Sequence, residues 1–310
     1  MKFNIKLSSL IVHSFTWFVN LANDRVYHII KYITCKYKTM RIFLDSGDPD
    51  ETRKTLSVMT LDGQTTNPSL IAKNPEIAEK ILSGEKLTET DLLKRYQKIV
   101  QEISNLIPNG SISIEVYADE NSTAQELLEQ AKIMNTWIPN AQIKLPIIKS
   151  GVEAAILCLT NNIKVNMTLC FSEEQAAIID LATKGCKKGD VFISPFIGRL
   201  EDKGLAGVDL ISNIKARYLS SDSQVEILAA SIRTVTHLHA VKQANADIAT
   251  VPFAVLTHPD TTEAKTTAVL TPIVPTQIDP GKDWRSLNIY HTQTKEGLDK
   301  FIADWKKIFE

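Results

Sequence analysis

The segment Ala141-Gln142-Ile143-Lys144-Leu145-Pro146 reads as a β-strand that ends at a proline and carries one lysine in its middle. A helix-length segment follows at once, with Ser150 and Glu153 at the spacing of a capping box. This strand-then-helix unit recurs on both sides. Upstream, Arg41-Ile42-Phe43-Leu44 runs into Asp45, Val58-Met59-Thr60-Leu61 opens a stretch that reaches Thr65-Thr66-Asn67-Pro68, and Ile112-Ser113-Ile114-Glu115-Val116 is a third strand. Downstream come 163–168, then 190–193 leading to Ser194, 225–230 leading to Ser231, and 247–252. Leu92, Leu93, Tyr96, Ile99, Val100 and Ile103 share one face of a helix near Thr90. Ser122 with Gln125 and Ser172 with Gln175 mark two further helix starts. Eight strands joined by connections too long for hairpins predict an α/β fold whose parallel sheet closes into a (β/α)8 TIM barrel. An open doubly wound sheet is the competing fold, and it normally carries a Gly-rich turn after its first strand. Here that turn is Asp45-Ser46-Gly47-Asp48-Pro49, with no G-x-G-x-x-G.

The bulk composition agrees with one large core. The chain has 310 residues, 44% hydrophobic and 23% charged, and barrels of about 250 residues are commonly one domain. Met40 stands directly before the first strand, so residues 40–310 are expected to form the barrel with its C-terminal helix. Residues 1–39 then read as an upstream extension outside the fold. The alternative for that stretch is a signal peptide or anchor, because Lys2 and Lys6 precede Leu10-Ile11-Val12 and Phe15-Thr16-Trp17-Phe18-Val19. That run is broken by His13, Ser14 and Asn20 and is too short for a good membrane span. The net charge of -1 points to neither nucleic acid nor a membrane surface. Cys35, Cys158, Cys170 and Cys186 have no paired ligand spacing and read as free thiols in a reducing cytoplasm.

In a parallel barrel, the C-terminal strand ends converge on one mouth. That would gather Asp45, Asn67, Glu115, Lys144, Asn166, Thr168, Ser194 and Ser231, with Arg199 and Arg233 just beyond strands six and seven. An interior lysine is costly unless it has a task, and the usual task is nucleophilic attack on a carbonyl to make a Schiff base. An ordinary lysine, with a pKa of about 10.4, is protonated at neutral pH. Desolvation or a nearby cation frees the amine, and a carboxylate in contact opposes this, so at least one of the two carboxylates is expected to act at a distance. Two arginines with two serines suit phosphate oxygens. Taken singly, each residue has a plainer use. A strand-end Asp or Asn caps a helix, a strand lysine lies at an exposed edge, and Arg199 pairs with nearby Glu201 or Asp202. H-E-x-x-H, C-x-x-C, Walker A and G-x-S-x-G motifs do not occur, and His237 and His239 are poorly spaced for a metal. Neither a metal nor another cofactor is expected.

The order of these segments resembles the transaldolase family, in its shorter branch that includes fructose-6-phosphate aldolases. The resemblance runs from about Arg41 to the C-terminus. It is carried by Phe43-Leu44-Asp45, Thr65-Thr66-Asn67-Pro68-Ser69-Leu70, Ile114-Glu115-Val116, Ile143-Lys144-Leu145-Pro146, Val165-Asn166-Met167-Thr168-Leu169, Ile193-Ser194-Pro195-Phe196-Ile197-Gly198-Arg199 and Ala230-Ser231-Ile232-Arg233. The T-T-N-P-S and S-P-F-x-G-R segments are the most specific.

The resemblance implies a class I (Schiff-base) aldolase-type barrel acting on sugar phosphates in the pentose phosphate pathway. It implies that Lys144 attacks the ketose carbonyl and that Glu115, with Thr168, positions a water for proton transfer. Asp45 would take the C4-hydroxyl proton. Asn67 and Asn166 would hold the three-carbon unit, Ser194 would contact the substrate near the lysine, and Arg199, Ser231 and Arg233 would hold the phosphate. Family transaldolases carry Glu and Phe where this chain has Glu115 and Phe196, while the aldolases tend to carry Gln and Tyr. Transfer of a dihydroxyacetone unit is therefore the expected activity. An aldolase-like lyase and an inactive sugar-phosphate-binding barrel are the alternatives. The extension before Met40 and the long segment Thr257 to Tyr290, read as a loop, depart from the family pattern. The last helix, Thr294 to Phe309, puts Leu298, Phe301, Ile302, Trp305 and Ile308 on one face. In short family members that helix contacts a neighbouring subunit, which implies a homo-oligomer. The other expectation for this face is packing on its own barrel.

Overall fold

Strands β1 (Arg41–Asp45), β2 (Gly63–Thr65), β3 (Ser111–Glu115), β4 (Ala141–Pro146), β5 (Val165–Cys170), β6 (Val191–Pro195), β7 (Glu226–Ala229) and β8 (Ile248–Pro252) pair in sequence order, all parallel. β8 returns to β1, aligning Phe43 with Thr250 and Asp45 with Pro252, so the sheet closes into the expected barrel. The computed structural model describes residues 40–84, 87–257, 270–279 and 281–307. The extension expected over residues 1–39 lies outside them.

Around the barrel run α1 (Pro49–Leu56), α2 (Pro68–Ala72), α3 (Pro75–Leu82), α4 (Glu89–Leu106), α5 (Ala124–Asn135), α6 (Lys149–Thr160), α7 (Glu173–Ala182), α8 (Ile197–Glu201), α9 (Gly207–Ser220), α10 (Val235–Gln243), α11 (Phe253–Thr257) and α12 (Thr292–Lys306). A strand covered on both faces should be apolar nearly throughout. β4 and β5 are buried at every position, so Lys144 and Asn166 stand out as polar residues inside the core. The opposite end of the barrel interior is filled. Phe43 and Phe192, from strands that are not neighbours, meet edge-on with ring centroids 6.1 Å apart. Arg41 lies over both rings and pairs with Glu226 at 2.8 Å.

Some local expectations change. Val58–Leu61 is not strand. It forms the exit from α1, with Val58 exposed, and β2 starts only at Gly63. Gly63 is required there, because a Cβ would lie 2.3 Å from the Ser111 carbonyl oxygen and 2.7 Å from the Phe43 ring. The box at the start of α5 is Thr123 with Glu126, each bonding the other's backbone N–H, rather than Ser122 with Gln125. Ser122 instead bonds Asp119. α6 follows Ile148 without a side-chain cap, and Ser150 sits inside its first turn. Ser172 does cap α7, accepting from Gln175 N at 3.1 Å, but the Gln175 side chain is used elsewhere. The described part of the segment before α12 is largely irregular, with one 3₁₀ turn at Trp284–Ser286.

The inner face of α12 packs on its own barrel. Leu298, Phe301 and Trp305 are buried, Trp305 stands edge-on to Tyr96 at 6.2 Å, and Asp304 accepts from Ser69. Ile302 is partly buried, and Ile308 lies outside the described residues.

Phe192 is buried in the barrel interior against Phe43. Phe192→Ala is therefore expected to cost about 3–5 kcal/mol of stability in urea unfolding. A loss below about 1 kcal/mol would contradict this packing.

Candidate active site

The register of the central strands sets the chemistry. Glu115 of β3 is the Cα partner of Lys144 on β4, which is the partner of Asn166 on β5. Parallel neighbours in one row point to the same face, so one acid, one amine and one amide line up inside the barrel. Lys144 Nζ lies 2.9 Å from Glu115 Oε2, with side-chain exposures of only 4% and 3%. Nζ also donates to the Thr66 carbonyl at 3.3 Å and sits 5.8 Å from the Phe301 ring centroid. The lysine is thus an interior residue, not an exposed edge residue.

The carboxylates divide as the charge argument required, with one in contact and one further off. Burial pushes Glu115 above the usual carboxylate range, while Lys144 pulls it back. Burial likewise raises Asp45, opposed first by the Lys144 charge. Asp45 accepts a hydrogen bond from Thr65 Oγ1 at 2.7 Å, and Thr65 is in turn 2.6 Å from Thr250 Oγ1. The Glu115 backbone N–H donates to Tyr96 Oη, which is 2.6 Å from Thr66 Oγ1. These partners hold the Asp45 carboxylate and the Glu115 backbone.

A cavity of about 200 Å³ opens at the strand ends over Lys144. Asp45, Asn67, Ser194, Phe196, Arg199 and Ser231 line it with the lysine, as the sequence suggested. Asn67 also caps α2, its Oδ1 accepting from Leu70 N at 2.9 Å, which is the plainer use expected of it. Asn166 connects the interior row to the cavity, donating to Ser113 Oγ at 3.0 Å and accepting from Ser194 Oγ at 2.7 Å. Thr168, two residues along β5, shares that face, and its buried Oγ1 has no hydrogen-bond partner among the described residues. A larger cavity of about 840 Å³ opens by Arg41, Asp62 and Lys164 at the strands' N-terminal end, away from this lysine–acid pair.

The two arginines differ. Arg199 lies over the rings of Phe196 at 4.9 Å and Phe301 at 5.6 Å, and burial lowers its pKa. Its neighbours in sequence do not claim it: Glu201 pairs with His237 at 2.7 Å and Asp202 with Arg233. Arg233 does not line the cavity. Both its terminal nitrogens are held by Asp202, and its Nε faces Gly198, where a Cβ would be 2.8 Å away. Gly198 leaves room for this approach, and Ser231 beside it has φ +60°.

Several site residues were not legible in the sequence. Lys73, Lys300, Phe301 and Thr250 line the cavity, and Tyr96 supports Glu115. Tyr96 was visible only as part of an apolar helix stripe, and its hydroxyl tip was the overlooked signal. Lys300 and Phe301 reach the cavity through α12, whose placement no local pattern encodes.

The model of the family described as Transaldolase/Fructose-6-phosphate aldolase matches residues 42–310. A probable transaldolase of Carboxydothermus hydrogenoformans is 37% identical over 270 residues, covering 87% of this chain and 99% of that protein. A probable transaldolase of Dehalococcoides mccartyi is 32% identical over 269 residues, with the same two coverages. A probable transaldolase of Brucella abortus is 34% identical over 268 residues, covering 86% of this chain and 97% of the relative.

The raised Asp45 gives a signed prediction. A carboxyl whose pKa is higher folded than unfolded costs stability once it is ionised, and the cost disappears below its unfolded value. Asp45→Asn should therefore melt at a higher temperature than the parent protein at pH 7. The gain should shrink as pH falls toward about 4. An equal or lower melting temperature at pH 7 would contradict the burial argument.

Proposed function

From the premise that the chain belongs to the transaldolase/fructose-6-phosphate aldolase family, we propose that it is a transaldolase that moves a dihydroxyacetone unit between sugar phosphates through a Schiff base on Lys144. The reading rests on one observation: a nearly dry lysine lies 2.9 Å from a buried acid on the floor of a cavity that also holds Arg199.

The chemistry follows from these positions. Glu115 lies 2.9 Å from the Lys144 amine, within reach for proton exchange, and burial raises its carboxyl above the ordinary range. The neutral amine attacks the ketose carbonyl carbon. A C–N bond forms, and the oxygen leaves as water, with Glu115 and Thr168 handling the protons through a water. Asp45, also strengthened as a base by burial, takes the C4-hydroxyl proton. The C3–C4 bond breaks, its electron pair moves into the iminium, and an aldose phosphate leaves. The remaining enamine, held by Asn67 and Asn166, adds to the aldehyde carbon of an acceptor, and hydrolysis frees Lys144. Ser194 contacts the substrate beside the lysine. Arg199, with Ser231, takes the phosphate, while Arg233, held by Asp202 outside the cavity, is left out of this role.

Phe196 brings no hydroxyl to help release the three-carbon enamine, which favours transfer over simple cleavage. Sedoheptulose 7-phosphate and fructose 6-phosphate are the proposed donors, in the pentose phosphate pathway. The free thiols Cys158, Cys170 and Cys186 suit a reducing cytoplasm.

The test is glyceraldehyde 3-phosphate release from fructose 6-phosphate, with and without erythrose 4-phosphate. Release that depends on the acceptor is expected, and equal release without it would mean an aldolase. Glu115→Gln should lower kcat by about 10²–10⁴-fold. An unchanged kcat would remove Glu115 from the proton path.

A further inference from the structure

The C-terminal helix touches Arg199 at three successive turns. Gln293 Nε2 donates to the Arg199 carbonyl at 2.6 Å. At Gly297, a Cβ would fall 2.7 Å from Arg199 Nη1 and 2.6 Å from Leu169 Cδ2. The Phe301 ring lies 5.6 Å from Arg199 Cζ, and the Phe196 ring lies 4.9 Å from it. Residues four and eight apart lie along one side of a helix, so Gln293, Gly297 and Phe301 form a single stripe.

We infer that this stripe of α12 positions Arg199, and so sets the preference for phosphorylated over unphosphorylated ketoses. The inference rests on the phosphate role proposed above for Arg199. Gln293 fixes the backbone, Gly297 makes room for the guanidinium, and the rings of Phe301 and Phe196 both lie against it. A clamped guanidinium meets an arriving phosphate already oriented, which spares the ordering cost of a free side chain. The helix cannot easily retreat from an added methyl group. Thr294 Oγ1 donates to the Leu169 carbonyl at 2.9 Å and accepts from Gln175 at 2.8 Å. At the far end, Trp305 packs on Tyr96 and Tyr117. Gly297 and Gln293 are positioning residues, since each acts on substrate only through Arg199.

The experiment compares steady-state transfer from fructose 6-phosphate and from fructose, to the same acceptor, for the parent protein, Arg199→Ala, Gly297→Ala and Gln293→Met. Gly297→Ala should raise the KM for fructose 6-phosphate about tenfold or more, with kcat/KM for fructose nearly unchanged. Gln293→Met should move the same ratio in the same direction, and it carries the test if Gly297→Ala does not fold. A folded Gly297→Ala protein that keeps the parent preference would overturn the inference. So would equal losses on both substrates, which would mark a general packing role. A parent protein without preference, or an Arg199→Ala protein that keeps it, would instead overturn the phosphate role of Arg199 on which the inference stands.

Discussion

An amine and a carboxyl group sit 2.9 Å apart inside the barrel, both almost wholly removed from water. Desolvating two charges is expensive, and in the interior their attraction repays the cost only with good geometry and further hydrogen bonds. The fold supplies both. The β3–β4 register sets Glu115 opposite Lys144, the Thr66 carbonyl accepts from Nζ, and the Phe301 ring covers the amine. Removing Lys144 alone would leave Glu115 buried without its partner, whereas exchanging both groups for apolar residues can be neutral or stabilising, so the pair is no simple stabilising device.

The closed parallel sheet makes such a pair possible. Each strand gives alternate residues to the interior, and closure fixes every row against its neighbours. At one end the rows are filled by Phe43, Phe192 and the Arg41–Glu226 pair, so the barrel is packed there. At the other end the rows hold Asp45, Thr65, Glu115, Lys144, Asn166 and Ser194, joined by hydrogen bonds across strands. α12 lies against this mouth, where the Phe301 ring centroid is 5.8 Å from Lys144 Nζ and 5.6 Å from Arg199 Cζ.

The fold was legible because its signals are local and repeated. Each strand is a short apolar run, each connection is helix-length, and polar residues recur where the runs stop. Seven of the eight strands lie within one or two residues of where the sequence put them. β2 did not, because Val58–Leu61 has strand-like composition but serves as a helix exit, and the true strand needs only three residues beginning at Gly63. Caps were read less well. Neighbouring Ser122 and Thr123 are both acceptable at the start of α5, and only backbone geometry chooses between them. Lys144, Glu115 and Asp45 were visible as misfits in apolar strands. The stripe Gln293, Gly297 and Phe301 was not, because its meaning depends on where α12 lies, and contacts almost a hundred residues apart leave no periodic trace.

The central claim is that Lys144 forms a covalent imine with the substrate. Its most direct test is borohydride reduction in the presence of fructose 6-phosphate, followed by mass mapping of the peptides. The account predicts a stable three-carbon adduct on Lys144 alone, formed only when substrate is present. An adduct on another lysine, or full turnover with no trapped species, would contradict it.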